Sequence, residues 1–168
     1  MSGHAAIVGL GARGTRWAEA LQAAGWMVSG FDPDDRAGRK LSGPTWKREA
    51  TISATVRRAD VVLCFLPDRL ELVRMVLQRV QAETKPETMV AVHSRLHDVD
   101  EVQGCAMRPA QVVRLSDAVE GGVAMDVSAR NDDALREQAA LFVADLAAVL
   151  SLAPPAATAP DLPASREA

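Results

Sequence analysis

Near the amino terminus the chain reads Gly9-Leu10-Gly11-Ala12-Arg13-Gly14, the spacing G-x-G-x-x-G. Alone the spacing is weak, because any strand-to-helix turn can collect glycines. Its flanks strengthen it. The apolar run 4–10 (HAAIVGL) precedes it, and 13–24 (RGTRWAEALQAA) follows with Trp17, Leu21 and Ala24 at helical spacing. Between a strand and a helix, Gly9 makes the tight turn, Gly11 lets backbone approach a pyrophosphate, and Gly14 lets the helix lie close on the sheet. The helix start presents free N–H groups and a partial positive charge to phosphate. Asp32, eighteen residues beyond Gly14, closes the next apolar run, where a carboxylate accepts hydrogen bonds from ribose hydroxyls and repels a 2′-phosphate. Asp34 and Asp35 add to that repulsion, although Arg36 and Arg39 leave NADP open on charge; NAD is the expected cofactor. Arg13 is either a phosphate contact or an exposed loop cation.

Hydride transfer to such a cofactor needs an acid/base group that titrates near neutrality. The histidines are His4, His93 and His97. His4 begins the first strand, at the end of the sheet away from a cofactor. His93 ends a strand on the side where open α/β sheets place ligands, so it is either the proton acceptor or a residue that merely terminates the strand. The sequence offers it no identifiable carboxylate partner. His93 and His97 have the spacing of a helical metal pair, but the segment straddles a strand end, and no metal is expected. Ser94 lacks the Gly-x-Ser-x-Gly elbow of a nucleophile. Cys64 and Cys105 lie far apart in apolar surroundings and read as buried thiols.

These residues need a scaffold. Gly25 stops the first helix, 26–31 reads as a second strand, and 33–47 as a short helix followed by an ill-defined stretch around Pro44-Thr45-Trp46. A helix is expected at 48–58, then the continuous apolar strand 61–66, covered on both faces. Further on stand an amphipathic helix at 68–82, a strand at 88–93, a helical segment at 98–107, a short strand at 111–115 and a last helix at 134–150, opened by Asp132-Asp133. Such alternation predicts an α/β fold with a doubly wound parallel sheet, a single Rossmann domain over 1–151 without a second, helical domain. The Pro/Ala-rich stretch 152–168 reads as a disordered tail. With 48% hydrophobic and 24% charged residues among 168, and net charge −3 without a basic run, the chain is expected to fold and not to bind nucleic acid. It has no stretch approaching the roughly 20 apolar residues of a membrane span and no leader-like start, so a cytoplasmic location is expected.

The runs AIVGLGARGTRWAEALQAAGWMVSGFDPD and ADVVLCFLPDRLELVRMVLQRVQAETKPETMVAVHS resemble the amino-terminal NAD-binding domain of the 3-hydroxyacyl-CoA dehydrogenases, the carnitine dehydrogenase branch in particular, over about residues 4–122. The resemblance implies that Gly9, Gly11, Gly14, Asp32 and Asp68 line the cofactor and that Ser94 helps hold substrate. It also places Glu120 where the family has a glutamate backing its catalytic histidine. The family's Gly-His-x-Phe-Asn-Pro segment, which carries that histidine, is missing; the chain runs Val112-Val113-Arg114-Leu115-Ser116-Asp117-Ala118-Val119-Glu120 instead. Leu66-Pro67-Asp68 and the segment Asp117–Val123 are similar to the 3-hydroxyisobutyrate dehydrogenase family, whose catalytic lysine lies in a helical carboxy-terminal domain. His93, Ser94 and Glu120 are therefore the catalytic candidates, with Leu10, Ala12, Arg13, Leu66 and Pro67 joining the cofactor residues. Two functions remain open. One is an oxidoreductase acting on a hydroxy-acid or hydroxyacyl substrate, its missing wall supplied by dimerisation or a separate subunit. The other is a non-catalytic NAD(H)-binding domain serving as sensor, partner subunit or interaction module. A homodimer is expected, through the 134–150 helix.

Overall fold

The computed structural model describes residues 3–117 and 122–152, the last two by backbone alone. Glu120 and the tail from 153 onward lie outside the described residues. Seven strands form one sheet: β1 (His4–Val8), β2 (Met27–Phe31), β3 (Trp46–Arg48), β4 (Val61–Cys64), β5 (Met89–His93), β6 (Val112–Asp117) and β7 (Val123–Asp126). Their spatial order is β3-β2-β1-β4-β5-β6-β7. All neighbours are parallel except β6 and β7, which run antiparallel. The helices are α1 (Ala12–Ala23), α2 (Ile52–Val56), α3 (Leu70–Glu83), α4 (Val99–Gln103) and α5 (Asp133–Leu152). The strand order reverses between β1 and β4, and open α/β sheets bind ligands at the carboxyl ends of the strands at such a point.

The sheet is buried on both faces, which is why its central strands are unbroken apolar runs rather than alternating ones. In β1 the period of two sends Ala5 and Ile7 to one core and Ala6 and Val8 to the other. The first core is closed by α1 and α5, where the Phe142 ring stacks on Trp17 at 6.4 Å and meets Trp26 edge-on at 5.5 Å. The second is filled from α3 and α4 by Val73, Leu77, Val80 and Val102 against Val62, Val90 and Val92. At the amino end of β1, as expected, His4 is remote from the carboxyl ends of the strands; its Nε2 lies 2.9 Å from Ser29 Oγ, which donates to the Thr55 carbonyl.

The segment 33–48 differs from expectation. It forms turns rather than a helix, and Trp46–Arg48 pairs with Val28–Gly30 as a parallel edge strand. Three residues at a sheet edge carry no readable period, and this strand is fixed by tertiary contact: the Trp46 ring occupies the space that a side chain at position 30 would need. The helix expected over 48–58 shrinks to five residues because Thr51 caps it, its Oγ1 accepting from the Ala54 N–H. The segment expected at 98–107 is likewise a helix only to Gln103, opened by a capping box between Asp98 and Glu101. Strand β7 was not anticipated; its half-buried residues show no alternation, and its pairing reverses the otherwise parallel sheet.

Because Phe142 joins α5 to both tryptophans, Phe142→Ala is expected to cost about 3–5 kcal/mol, read as a lower urea midpoint.

Candidate functional site

The three glycines of the turn after β1 have different physical tasks. Gly9 has φ 99°, and a Cβ there would fall 2.1 Å from the Phe65 carbonyl oxygen. A Cβ on Gly14 would fall 1.9 Å from the Gly9 carbonyl oxygen. Both positions are therefore closed by backbone, which is how β1, β4 and α1 come so near one another. Gly11 is the opposite case, since a Cβ there would meet nothing within 4 Å. Its bareness leaves the backbone open towards the crevice.

Gly11 is also the N-cap of α1, with no side-chain cap and no acidic residue in the first turn. Its carbonyl takes the Thr15 N–H at 2.9 Å, so the N–H groups of the first turn point outward without a capping acceptor. By contrast α2 and α4 carry side-chain caps. An uncapped helix terminus beside open space is a cradle for an anion. At its flank the Asp32 carboxylate accepts from Leu10 N–H at 2.7 Å and from Asp34 N–H at 2.8 Å, tying the end of β2 to the glycine turn. A recess of about 380 Å³ opens beside it, lined by Phe31, Asp32, Pro33, Asp35, Arg48, Glu49 and Ala50. Arg36 pairs with Asp34, and Arg48, which sequence reasoning missed, donates to the carbonyls of Asp32, Asp34 and Ala37. Open backbone at Gly11 and a carboxylate beside a recess fit a dinucleotide.

At the carboxyl ends of β4 and β5, Asp68 is held from three sides. Ser94 Oγ–H donates to its Oδ1, and the N–H groups of Arg95 and Leu96 donate to Oδ2 at 2.9 and 3.3 Å. Burial pushes the Asp68 carboxyl up, but the Ser94 hydroxyl, these two N–H groups and the nearby His97 outweigh it and hold the group below the ordinary carboxylate value. Ser94 is 1% exposed, and its Oγ accepts the His97 N–H at 3.0 Å. Leu66 and Pro67 form the bend between β4 and α3, with Leu66 packed on the second core. Leu10 is buried in the first core, and Ala12 is exposed at the start of α1.

His93 has a carboxylate neighbour after all. Its Nε2 lies 3.6 Å from Oδ2 of Asp117, beyond hydrogen-bond reach, and among the described residues it makes no hydrogen bond. The same Asp117 oxygen accepts from Arg13 Nη2 at 2.8 Å. Asp117 entered the sequence reading only as the first residue of a similar segment. Its signal was its place at the carboxyl end of a strand, where ligand-facing residues gather. Burial foremost, then the Arg13 charge, lowers the His93 pKa against the pull of Asp117 and Asp68, so the ring is neutral at pH 7. His97 pairs with Glu101 at 3.6 Å. Cys64 and Cys105 are free and buried, and burial pushes the Cys64 thiol up to about 12.

A parallel sheet whose order reverses beside a glycine turn, an open helix terminus and an acid at the end of β2 define a Rossmann-type dinucleotide-binding domain. The model of the NAD binding domain of 6-phosphogluconate dehydrogenase matches residues 4–143, and the chain belongs to that family. It is an NAD-binding domain of dehydrogenase type. No curated protein sequence matches it. Among solved structures, it is similar to Mycobacterium tuberculosis 3-hydroxyisobutyrate dehydrogenase with L-serine at 28% identity and TM-score 0.65, over 88% of this chain and 53% of that one. (S)-3-hydroxybutyryl-CoA dehydrogenase from Ralstonia eutropha matches at 14% identity and TM-score 0.75, over 86% of this chain and 60% of that one. For 3-hydroxybutyryl-CoA dehydrogenase from Escherichia coli K12 the values are 17% and 0.72, over 86% and 36%. The last two likenesses are of fold. Both families named from the sequence are thus among the structural neighbours, and the chain spans less than two thirds of each neighbour's length.

Gly11→Leu places its side chain in open space and should leave the urea midpoint nearly unchanged while abolishing NADH binding in calorimetry. Gly9→Ala should destabilise the fold, because φ 99° and the Phe65 carbonyl both oppose a Cβ. His4 and His93 both have folded-state pKa values lowered, by burial first, so the unfolded chain binds more protons. Their stability contribution is full above the unfolded histidine value of about 6.5 and is lost as pH falls from there through the folded values. Urea midpoints measured between pH 8 and about 5 should therefore fall on the acid side, and less steeply in His4→Gln and His93→Gln.

Proposed function

We propose that the chain is the cofactor-binding part of an NAD-dependent oxidoreductase acting on a small hydroxy-acid or hydroxyacyl substrate. In this reading the pyrophosphate rests on the α1 terminus over Gly11, Leu10, Ala12 and Arg13, with Gly9 and Gly14 shaping the turn. Asp32 receives the adenosine ribose, and Leu66, Pro67 and Asp68 wall the far side. The observation that carries the reading is the meeting of His93 and Asp117, from the ends of β5 and β6, with Arg13 of the glycine turn. A neutral imidazole with a carboxylate neighbour at that point supplies a proton acceptor next to the cofactor cradle. Bound NAD would supply the hydride acceptor. Ser94 keeps Asp68 fixed, and Glu120 stands as a further acid/base candidate.

In this reading a second copy of the chain packs through α5. Two free buried thiols are in keeping with a reducing, cytoplasmic setting, and among the described residues no helix is long and apolar enough to cross a membrane. One observation favours the second reading, a non-catalytic NAD(H)-binding domain: His93 is only 7% exposed, with Arg13 and Asp117 between them occupying its approach.

Calorimetric titration with NADH, NAD, NADPH and NADP, alongside Asp32→Asn, tests the cofactor assignment. NAD(H) should bind tightly and the phosphorylated forms weakly, with the preference reduced in the variant. Equal affinity for all four would refute the role given to Asp32. Reduction of NAD by short hydroxy acids and hydroxyacyl thioesters then separates the readings: His93→Gln should lower kcat by about 10²–10⁴-fold with NADH affinity retained, whereas no turnover with any substrate supports the non-catalytic domain. Sedimentation at micromolar concentration should give a dimer.

A further inference from the structure

Arg13, Asp117 and His93 come from three elements and meet at one carboxylate oxygen. Asp117 Oδ2 lies 2.8 Å from Arg13 Nη2 and 3.6 Å from His93 Nε2, so the carboxylate is bonded to the first and stands just short of the second. The three side chains differ in freedom. Those of Arg13 and Asp117 are 37% and 49% exposed, and an exposed ion pair of this kind is weak and easily exchanged. His93 is buried, with its ring 5.9 Å from that of Phe65. Arg13 is also the second residue of α1, within the turn whose uncapped N–H groups and helix dipole gather negative charge.

We propose that Asp117 is a positioning residue for His93, released by cofactor binding: Arg13 pairs with Asp117 while the α1 terminus is free, and turns to the anionic bridge of a dinucleotide seated there, leaving the carboxylate to close on His93 Nε2. The inference rests on the assignment of the glycine turn as the pyrophosphate cradle. The charged groups facing His93 among the described residues are Arg13 from α1, Asp117 from β6 and Asp68 from the β4–α3 bend. Asp68 is fixed by Ser94, Arg95 and Leu96 and acts alike in both arrangements. The exchange removes a positive charge from the imidazole and brings a negative one nearer. Both changes favour the imidazolium, so His93 takes a proton from the buffer and holds it as an N–H donor to Asp117. No other bond is made or broken. Binding then primes His93 with a proton in the NADH complex, the state from which it can donate to a carbonyl being reduced.

The test is calorimetry of NADH binding to the full chain at about pH 6.5, the ordinary histidine value, in MES and in imidazole buffer, whose ionisation enthalpies differ. It is paired with an NMR titration of the His93 ring in the free and NADH-saturated protein. The wild type should take up a fraction of a proton per NADH, bind more tightly as pH falls, and show the His93 pKa raised by about one unit on saturation. Asp117→Asn should bind NADH with no uptake. In Arg13→Gln the His93 pKa should already be raised in the free protein, with little further change, and this separates exchange of the carboxylate from a plain field effect of the phosphates. NADH binding with the same enthalpy in both buffers and an unmoved His93 overturns the coupling alone, as does undiminished uptake in Asp117→Asn. No NADH binding by the wild type overturns the cradle assignment and the coupling with it.

Discussion

Everything at the site depends on one close approach, the carbonyl oxygens of Gly9 and Phe65 pressed against positions where only glycine leaves room. With Gly9 at φ 99° and Gly14 against the Gly9 carbonyl, α1 begins directly over the end of β1 and beside β4. A side chain at either position would push the helix away from the sheet. The turn therefore aims the α1 terminus at the crevice where the strand order reverses, and carries Arg13 to within 2.8 Å of Asp117 at the end of β6. Asp32 completes the turn from β2 by taking the Leu10 N–H, so the group suited to ribose also holds the loop suited to phosphate.

The strand ends divide into fixed and exchangeable charge. Asp68 receives three hydrogen bonds, one from Ser94 and two from backbone, and with the nearby His97 they outweigh the burial that pushes its carboxyl up. Its charge is part of the scaffold. Among the described residues Asp117 has one exposed partner in Arg13 and a histidine just out of reach, and nothing comparable locks it. Two carboxylates a strand apart thus differ not in chemistry but in how many donors the backbone supplies.

The fold was largely legible because a sheet buried on both faces writes itself as continuous apolar runs. Val61–Cys64 and Met89–His93 stand where such runs place them, and the amphipathic stripe Val73, Val76, Leu77 and Val80 faces the core. The edges were not legible. Trp46–Arg48 is a strand because Trp46 lies over Gly30, a contact between residues sixteen apart that no local period records. Strand β7 follows a short glycine-rich connection and pairs antiparallel with β6, against the alternation that organises the rest. At the site, the glycine turn and Asp32 were readable from spacing, since both lie within one βαβ unit. The pairing of His93 with Asp117 was not, because it depends on β5 and β6 being neighbours in register, His93 beside Leu115, which places Asp117 beyond the same sheet end.

That register also ties α5 to the site. Strand β7 holds β6 in place through Arg114, which donates to Asp126 at 2.9 Å and to the Ser94 carbonyl at 3.2 Å, linking the ends of β5, β6 and β7. From β7 the chain passes into α5, which lays Leu135, Ala139, Phe142 and Leu146 on the first core beside α1. Phe142 stacks on Trp17, and Trp17 in turn lies 5.9 Å from Phe65, the residue whose carbonyl closes the glycine turn and whose ring neighbours His93. Packing of α5 thereby presses α1 onto the sheet from the side opposite to the second core. The glycines permit the close approach, and the aromatic cluster under α5 supplies the contact energy that holds it.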